Sequence, residues 1–363
     1  MLAVSSARSA DPLWPAWERF KTLYVSTDGR VVDDSVPARI TTSEGQSYGL
    51  FFALIANDRA TFAKLLDWTQ NNLAQGDLAK RLPAWQWGRA EDGTWRVLDA
   101  NAASDSDLWI AYSLLEAGRL WCKPEYTGLG RALAARVLRE EVTFIPGLGP
   151  TLLPGPIGFV EQQTWRLNAS YLPIQLLRAI ARASRDKLWN EVIKSSERVI
   201  LASAPRGFAA DWIQYRASEG FLVDRETKGV GSYNAIRVYL WVGTLAPADP
   251  LFGKLSKAHA PMMTSTAQRD APVEIVDTQT LAMRGDGSPG FSAALLPMLA
   301  NAKQAAALTQ HRARAEHAVT QRGGAYYSDV LSLFGLGWVE SRYRFDASGS
   351  VALTWKVSCR GGR

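Results

Sequence analysis

Hydrophobic positions recur with helical spacing along nearly the whole chain. Trp17, Phe20 and Tyr24 fall on one face of a helix, with the stem of Lys21 beside them, and Phe62, Leu65, Leu66, Thr69 and Leu73 form a second such face. The same period predicts helices near 129–140, 171–184, 187–201, 232–245, 291–301, 303–320 and 326–337. Two more helices open at polar capping signals. Ser43 with Gln46 three residues on fits a capping box, starting a helix that runs through Phe51, Leu54 and Ile55. Ser104 or Asp105 caps another, with Leu108, Ala111, Tyr112 and Leu115 as its buried face. Strand signal is thin: residues 211–216 against 221–226, joined by 217–220, read as one hairpin. Pro/Gly clusters at 146–158 and 285–290 mark loops and not linkers, because the helical pattern soon resumes. No repeat of fixed period is present. These patterns predict an all-α fold of about a dozen helices with a small β-hairpin insertion. One domain is expected over 13–360, preceded at 1–12 by a flexible N-terminus or the remnant of a signal region.

Composition removes several functional classes. At 47% hydrophobic and 21% charged, the 363 residues suit a sizeable core and not a disordered chain. No run reaches the ~18 apolar residues a membrane span requires, so no membrane insertion is expected. The net charge of +6 is spread along the chain. The basic cluster Arg312, Arg314 and Arg322 is interrupted by Glu316 and His317 and carries no nucleic-acid signature, so no nucleic-acid partner is expected. The three histidines, His259, His311 and His317, form no i, i+4 pair, and only Cys122 and Cys359 accompany them. No metal and no cofactor are expected from that set. Two cysteines suffice for one long-range bridge, but nothing in their spacing demands it. The 14 Trp, 11 Tyr and 12 Phe serve either a core or a cleft that stacks flat apolar faces such as sugar rings.

Acidic residues at helix starts are the candidate chemistry. Glu44 lies in the first turn of the helix opened by Ser43, at a loop-to-helix junction where a side chain can enter a cleft. Dipole stabilisation alone explains a glutamate there, and the same dipole opposes an acid role unless burial or a neighbouring carboxylate offsets it. Asp105 and Asp107 occupy a second helix start, where capping is the plain explanation for one of them. The stretch Gly45-Gln46-Ser47-Tyr48-Gly49 also matches the nucleophile elbow of serine hydrolases. That motif needs a strand before it and a parallel sheet around it. Residues 36–42 contain Pro37, and the chain lacks β/α alternation, which sets the esterase reading aside. Trp85, Trp87, Trp95 and Trp109 flank the acids, and Trp165-Arg166 follows later. In a third segment Ser232 caps a helix whose buried face is Ile236, Tyr239 and Leu240, with Asn234 and Arg237 one turn apart on the other side.

These segments resemble the family 8 glycoside hydrolases, and among them the endo-β-1,4-glucanases associated with bacterial cellulose synthase. The resemblance is carried by TTSEGQSYGL (41–50), LDWTQNNLAQG (66–76), LPAWQWG (82–88), NAASDSDLWIAYSLLEAGRLW (101–121) and SYNAIRVYLW (232–241). It continues through GFSAALLP (290–297) and LFGLGW (333–338), and so covers nearly the whole chain. It implies an (α/α)6 barrel and an inverting mechanism with a glutamic acid, an aspartate base and an aromatic-lined cleft. Glu44 matches the acid, Asp105 an acidic residue holding the sugar at the cleavage point, and Tyr171 a tyrosine near the attacking water. Ala169 departs from the family's more frequent proline. Tyr48, Trp85, Trp87, Trp109, Trp165, Arg166, Tyr233 and Arg237 are the matching candidates for substrate contact, Arg237 orienting the base.

The main departure is Asn234, which stands where those members carry the catalytic Asp. Asn cannot take a proton from water near neutral pH, so the chain as written is expected to be impaired. A substitution made to trap substrate and a natural loss both fit. The resemblance further implies cellulose or a cello-oligosaccharide as partner, contact with the synthase complex, a periplasmic or secreted location and a monomer. Two alternatives stay open: a glucan-binding protein that does not cleave, and the same fold acting on xylan, chitosan or mixed-linkage glucan.

Overall fold

The computed structural model describes residues 14–320 and 325–355. The expectation for residues 1–12 lies outside them. Thirteen α-helices form among the described residues: α1 Pro15–Tyr24, α2 Ser43–Ile55, α3 Arg59–Leu73, α4 Ser104–Trp121, α5 Pro124–Glu140, α6 Ile174–Ser184, α7 Leu188–Ser203, α8 Ala235–Thr244, α9 Phe252–Ala258, α10 Ala260–Ala267, α11 Pro289–Asn301, α12 Ala305–Thr320 and α13 Tyr326–Val339. They divide by burial. Every residue of α2 except Glu44 is buried, as is every residue of α4 except Arg119 and the whole of α8. By contrast α3 and α5 bury only a stripe. Helices apolar all round belong inside, and striped helices pack outside them.

Neighbour relations close six helices, the fully buried ones among them, into a ring. α2 packs on α4, α4 on α6, α8 on α11, and α11 on α13. Gln175 of α6 donates to the Trp241 carbonyl and the Thr244 hydroxyl of α8. Phe334 of α13 meets Tyr48 and Phe52 of α2 at ring-centroid distances of 5.0 and 4.7 Å, completing the circuit. Outside it, α3 lies on α2, α5 on α4, α7 on α6, α9 on α8, α12 on α11 and α1 on α13. The fold is the expected (α/α)6 barrel.

The single expected hairpin is a correction. Five small sheets, all antiparallel, decorate the helix ends: β1 Thr41–Thr42, β2 Gln86–Arg89 and β3 Trp95–Asp99; β4 Val142–Ile145 and β5 Gly149–Leu152; β6 Val160–Glu161, β7 Thr164–Leu167, β8 Ile213–Arg216 and β9 Gly220–Val223; β10 Val230–Gly231, β11 Val273–Asp277 and β12 Met283–Asp286; and β13 Tyr343–Phe345 with β14 Val351–Leu353. The hairpin read from sequence is β8–β9, half of a four-stranded sheet. The helix expected from 171 instead begins at Ile174, after a 3-10 turn at Ala169–Tyr171. Pro173 separates the two by disfavouring helical backbone at the residue before it. With every ladder antiparallel and Ser47 fully buried on α2, donating to the Glu44 carbonyl, no nucleophile elbow exists here. Cys122 ends α4 in left-handed backbone and is disulfide-bonded, whereas Cys359 lies outside the described residues.

The ring depends on close helix approach at Gly335. A Cβ there would sit 1.8 Å from the Ala293 carbonyl oxygen, which places the α13 backbone directly on α11. Gly335→Ala must separate these helices and is expected to cost about 3 kcal/mol, at the upper end of overpacking. A chemical-denaturation midpoint equal to that of the parent would contradict this packing.

Candidate active site

Helix starts on one face of the ring meet in an open cleft of about 370 Å³, lined among others by Glu44, Trp85, Asp105, Tyr171, Tyr233, Asn234 and Arg237. The local folding of each start differs from the sequence expectation. Pairing of β1 with β2 holds Thr42 extended, and its hydroxyl accepts from the Gly45 amide, so Thr42 and not Ser43 caps α2. Gln46 does not close a capping box. Its amide is a buried strut that donates to Gly29, Leu65 and Thr69 and accepts from the Val31 amide. Ser43 instead shares a 2.7 Å hydrogen bond with Ser106, locking the start of α2 to that of α4. Glu44, the one α2 residue that is not buried, is left facing the cleft.

At α4 the N-cap position is Ala103, with no side-chain cap, so the capping role expected of Ser104 or Asp105 is not found. The Asp105 Oδ1 accepts from the Ser106 amide at 2.7 Å, and the residue is 2% exposed. Burial pushes Asp105 up to about 7, against the pull of the backbone amides at its helix start. At α8, Ser232 spends its hydroxyl on the Glu274 carbonyl and caps nothing. The cap comes from outside: Asp211 Oδ1 accepts from the amides of Ser232, Asn234 and Ala235 at 2.9, 3.0 and 2.7 Å. Burial raises the Asp211 carboxyl, and these three donors oppose the rise.

Arg237 joins the pieces. Its Nη1 pairs with Glu44 and lies 3.4 Å from Asp105 Oδ2 and 3.3 Å from the Tyr48 hydroxyl. Its Nη2 donates to Asn234 Oδ1 at 2.9 Å and to Ser170 at 3.2 Å. The Asn234 Oδ1 also faces Asn168 Nδ2 at 3.3 Å. Two donors on Oδ1 turn the amide nitrogen of Asn234 away from the arginine. One guanidinium cannot neutralise two carboxylates, so the cluster retains a proton near neutral pH. Burial also holds the Tyr171 phenol far above its usual range, keeping its O–H available to donate.

The other expected contacts separate into two groups. Trp85 lines the cleft, and so does Tyr233, which is 48% exposed and donates to Glu274. Trp109 is a correction: it is 1% exposed and packs against Tyr48, Phe51 and Trp241 in the core. Tyr48 is buried too and meets Arg237 from behind the cleft. Trp165 is buried against Tyr215, and Arg166 is engaged by Asp224 while stacking 4.3 Å from Trp212. Trp87 lies outside the cleft lining, in a stack with Trp95 beside the Arg30 guanidinium. Residues missed from sequence are Asp33, Tyr326 and Tyr327 on the cleft wall, Asp211 behind Asn234, and Trp212 beside Tyr171. The adjacent Tyr326-Tyr327 at a helix start was the available signal.

Removing the central cation tests this electrostatic account. In Arg237→Met the buried Asp105 must hold a proton to stay in the folded site, so its folded-state value, already raised by burial, lies above the unfolded one. Stability is then present at low pH and lost as pH rises. Unfolding free energy is expected to drop by about 3–5 kcal/mol at pH 8, as for a broken buried pair, and by clearly less at pH 5. An equal loss at both pH values would sink the account.

Comparison with known proteins agrees with the fold. The model of glycosyl hydrolases family 8 matches residues 1–341. The chain is 48% identical over 359 residues to an endoglucanase of Escherichia coli O157:H7, covering 99% of this chain and 96% of that protein. It is 46% identical over 347 residues to an endoglucanase of Xanthomonas axonopodis pv. citri, covering 95% and 90%. The crystal structure of endo-1,4-D-glucanase from Vibrio fischeri ES114 superposes with a TM-score of 0.89 at 44% identity, covering 94% of this chain and 99% of that one. A helical ring, a cleft at its helix starts and a family match over nearly all of its length together make this chain a member of glycoside hydrolase family 8.

Proposed function

We propose that the chain is an endo-β-1,4-glucanase of inverting type whose general-base position is occupied by Asn234, so that it binds glucan but scarcely cuts it. The observation that carries this reading is the single guanidinium joining Glu44, Asp105 and Asn234 in one cleft. Glu44 and residue 234 sit on opposite ends of Arg237, separated by that group and two hydrogen bonds. This is compatible with the ~6.5–9.5 Å that leaves room for water in an inverting pair.

In the reaction, Glu44 gives a proton to the leaving glycosidic oxygen. An aspartate at 234 would keep one oxygen on Arg237 and Asn168 and use the other to take a proton from water. The water attacks the anomeric carbon from the far side, the glycosidic bond breaks, and configuration inverts. Asn234 reproduces the anchored oxygen but offers an amide nitrogen, which is no base, where the second oxygen is needed. Asp105 and Tyr171 face the bond being cut, and Trp85 and Tyr233 offer ring faces to adjacent sugars. Holding the chain over several subsites positions the bond for attack.

Relatives named endoglucanase align over almost all of this chain, which supports a glucan substrate. The setting is assigned on the sequence resemblance: a monomer acting in the periplasm on cellulose leaving a bacterial synthase. No helix among the described residues is long and apolar enough to cross a membrane.

Viscosity loss of carboxymethyl-cellulose, together with cello-oligosaccharide binding, tests the assignment. Asn234→Asp is expected to raise cleavage by ~10²–10⁴-fold, the usual worth of a positioned base. Adding Glu44→Gln should abolish that gain while binding persists. Binding by both proteins with cleavage by neither would favour the non-cleaving glucan binder. Absence of binding would remove glucan as the substrate class.

A further inference from the structure

Behind Asp105 lies a second acidic arrangement that the proposed chemistry does not use. Asp107, two residues along the first turn of α4, is fully buried, and Glu141, the residue that ends α5, is 1% exposed. All four of their carboxyl oxygens are buried and meet no donor among the described residues, and no basic side chain of those residues pairs with either. The two groups adjoin, and each bears on the other's titration. A hydrogen bond between two carboxyl groups requires a proton in it. Two carboxylates at that separation, out of water and without a cation, are excluded by desolvation and like-charge repulsion together. Burial and the partner's charge raise both groups well above the carboxylate range.

The two helix ends decide where the proton sits. Asp107 lies at the positive start of α4, which favours a carboxylate, and Glu141 at the negative end of α5, which disfavours one. Glu141 is therefore the donor and Asp107 the acceptor. The surroundings reinforce this polarity. Asp107 faces Glu140 and Glu141 at the end of α5 and Asp105 on its own turn. Of the nearby cations, Arg136 on α5 pairs with Glu140, and Arg237 on α8 lies beyond Asp105 and is already shared with Glu44 of α2, while Tyr48 and Tyr171 stay neutral. The Glu141 carbonyl accepts from the Leu153 amide, and the Pro154 carbonyl from the Ser104 amide. The pair thus ties the end of α5, the 153–154 segment and the turn that carries Asp105 into one unit.

We infer that Asp107 and Glu141 are positioning residues: they share one proton, and that proton holds the first turn of α4 where Asp105 meets Arg237. Loss of the proton at alkaline pH places a second anion behind Asp105 and pushes that turn away from the cleft. The pair sets an upper pH limit on the site. Gln at 141 preserves a donor–acceptor contact and has no such proton to lose, whereas Asn at 107 keeps the Glu141 proton but removes the anion beside it.

Infrared difference spectra of the full chain read the proton directly and do not rest on the hydrolytic reading. At pH 7 the parent-minus-Glu141→Gln spectrum should carry a protonated-carboxyl stretch distinct from that of the Glu44–Asp105 cluster, and this stretch should shift in Asp107→Asn. Parent and Glu141→Gln spectra that do not differ in this region, or a stretch unmoved in Asp107→Asn, overturn the proposal. Thermal melting gives a second readout. A carboxyl whose folded value is raised contributes stability at low pH that is lost as pH rises, so the parent's melting temperature should fall more steeply from pH 5 to 9 than that of Glu141→Gln. Equal slopes overturn the proposal. Should Glu141→Gln fail to fold, the band shift and shallower slope of Asp107→Asn decide alone.

Cello-oligosaccharide affinity adds the link to function and does rest on the glucan reading. The parent should lose affinity at alkaline pH, with Glu141→Gln retaining it about one pH unit further. Binding with the same pH profile in both proteins overturns the positioning role. No binding at any pH, with the infrared band present, faults the glucan reading and leaves the shared proton standing.

Discussion

A buried guanidinium is costly unless its surroundings return what water supplied. Arg237 meets that condition at its two terminal nitrogens, while its Nε meets no partner among the described residues. Those two nitrogens touch groups from two other ring helices, the start of its own helix and the turn before α6: Glu44 and Tyr48 from α2, Asp105 from α4, Asn234 beside α8, and Ser170. The helices must therefore arrive at one point with little tolerance. Trp241 fastens the turn, donating to the Ser170 carbonyl at 2.9 Å, and the Ser43–Ser106 bond fastens two helix starts. Ring closure and site assembly are consequently one constraint. The positive ends of α2, α4 and α8 point into the same cleft, which suits a site that handles anionic side chains.

The helical period exposed most of the ring because burial on a helix repeats within a few residues. Glu44, Asp105, Asn234 and Arg237 were recognisable as chemistry at helix starts, and the family resemblance placed them in one site. Spacing alone did not show that a single arginine connects them, since that contact joins residues 193 apart in sequence. The caps were less legible. Ser43 and Gln46 satisfy the capping-box pattern, yet strand pairing hands the cap to Thr42 and a packed interior claims Gln46. The cap on α8 arrives from Asp211, more than twenty positions upstream, beyond any local pattern. Apart from β8 and β9, the short strands were invisible for a related reason: two to five residues seldom show a period of two.

Aromatic side chains misled in both directions. A helix buried on every side needs large apolar groups throughout, so Trp109 and Tyr48 serve the ring although they sit within the signature segments. Trp212 stayed hidden because its segment was read only as a strand. It nevertheless stacks on Phe159 and adjoins Tyr171 at the cleft. Tyr326 and Tyr327 were absorbed by the apolar pattern of α13, although both reach the cleft wall. Composition announced a need for flat faces without saying which ones point outward.

The external cap on α8 reaches into how such a chain changes over generations. Because Asp211 holds the backbone amides at 232, 234 and 235, the side chain of residue 234 has no part in starting the helix. An exchange of acid for amide there alters one atom facing the cleft and leaves the scaffold's own supports in place. The start of α8 is then no guardian of this position: whether a lineage carries acid or amide at 234, the helix begins on the same three amides and the same distant carboxylate.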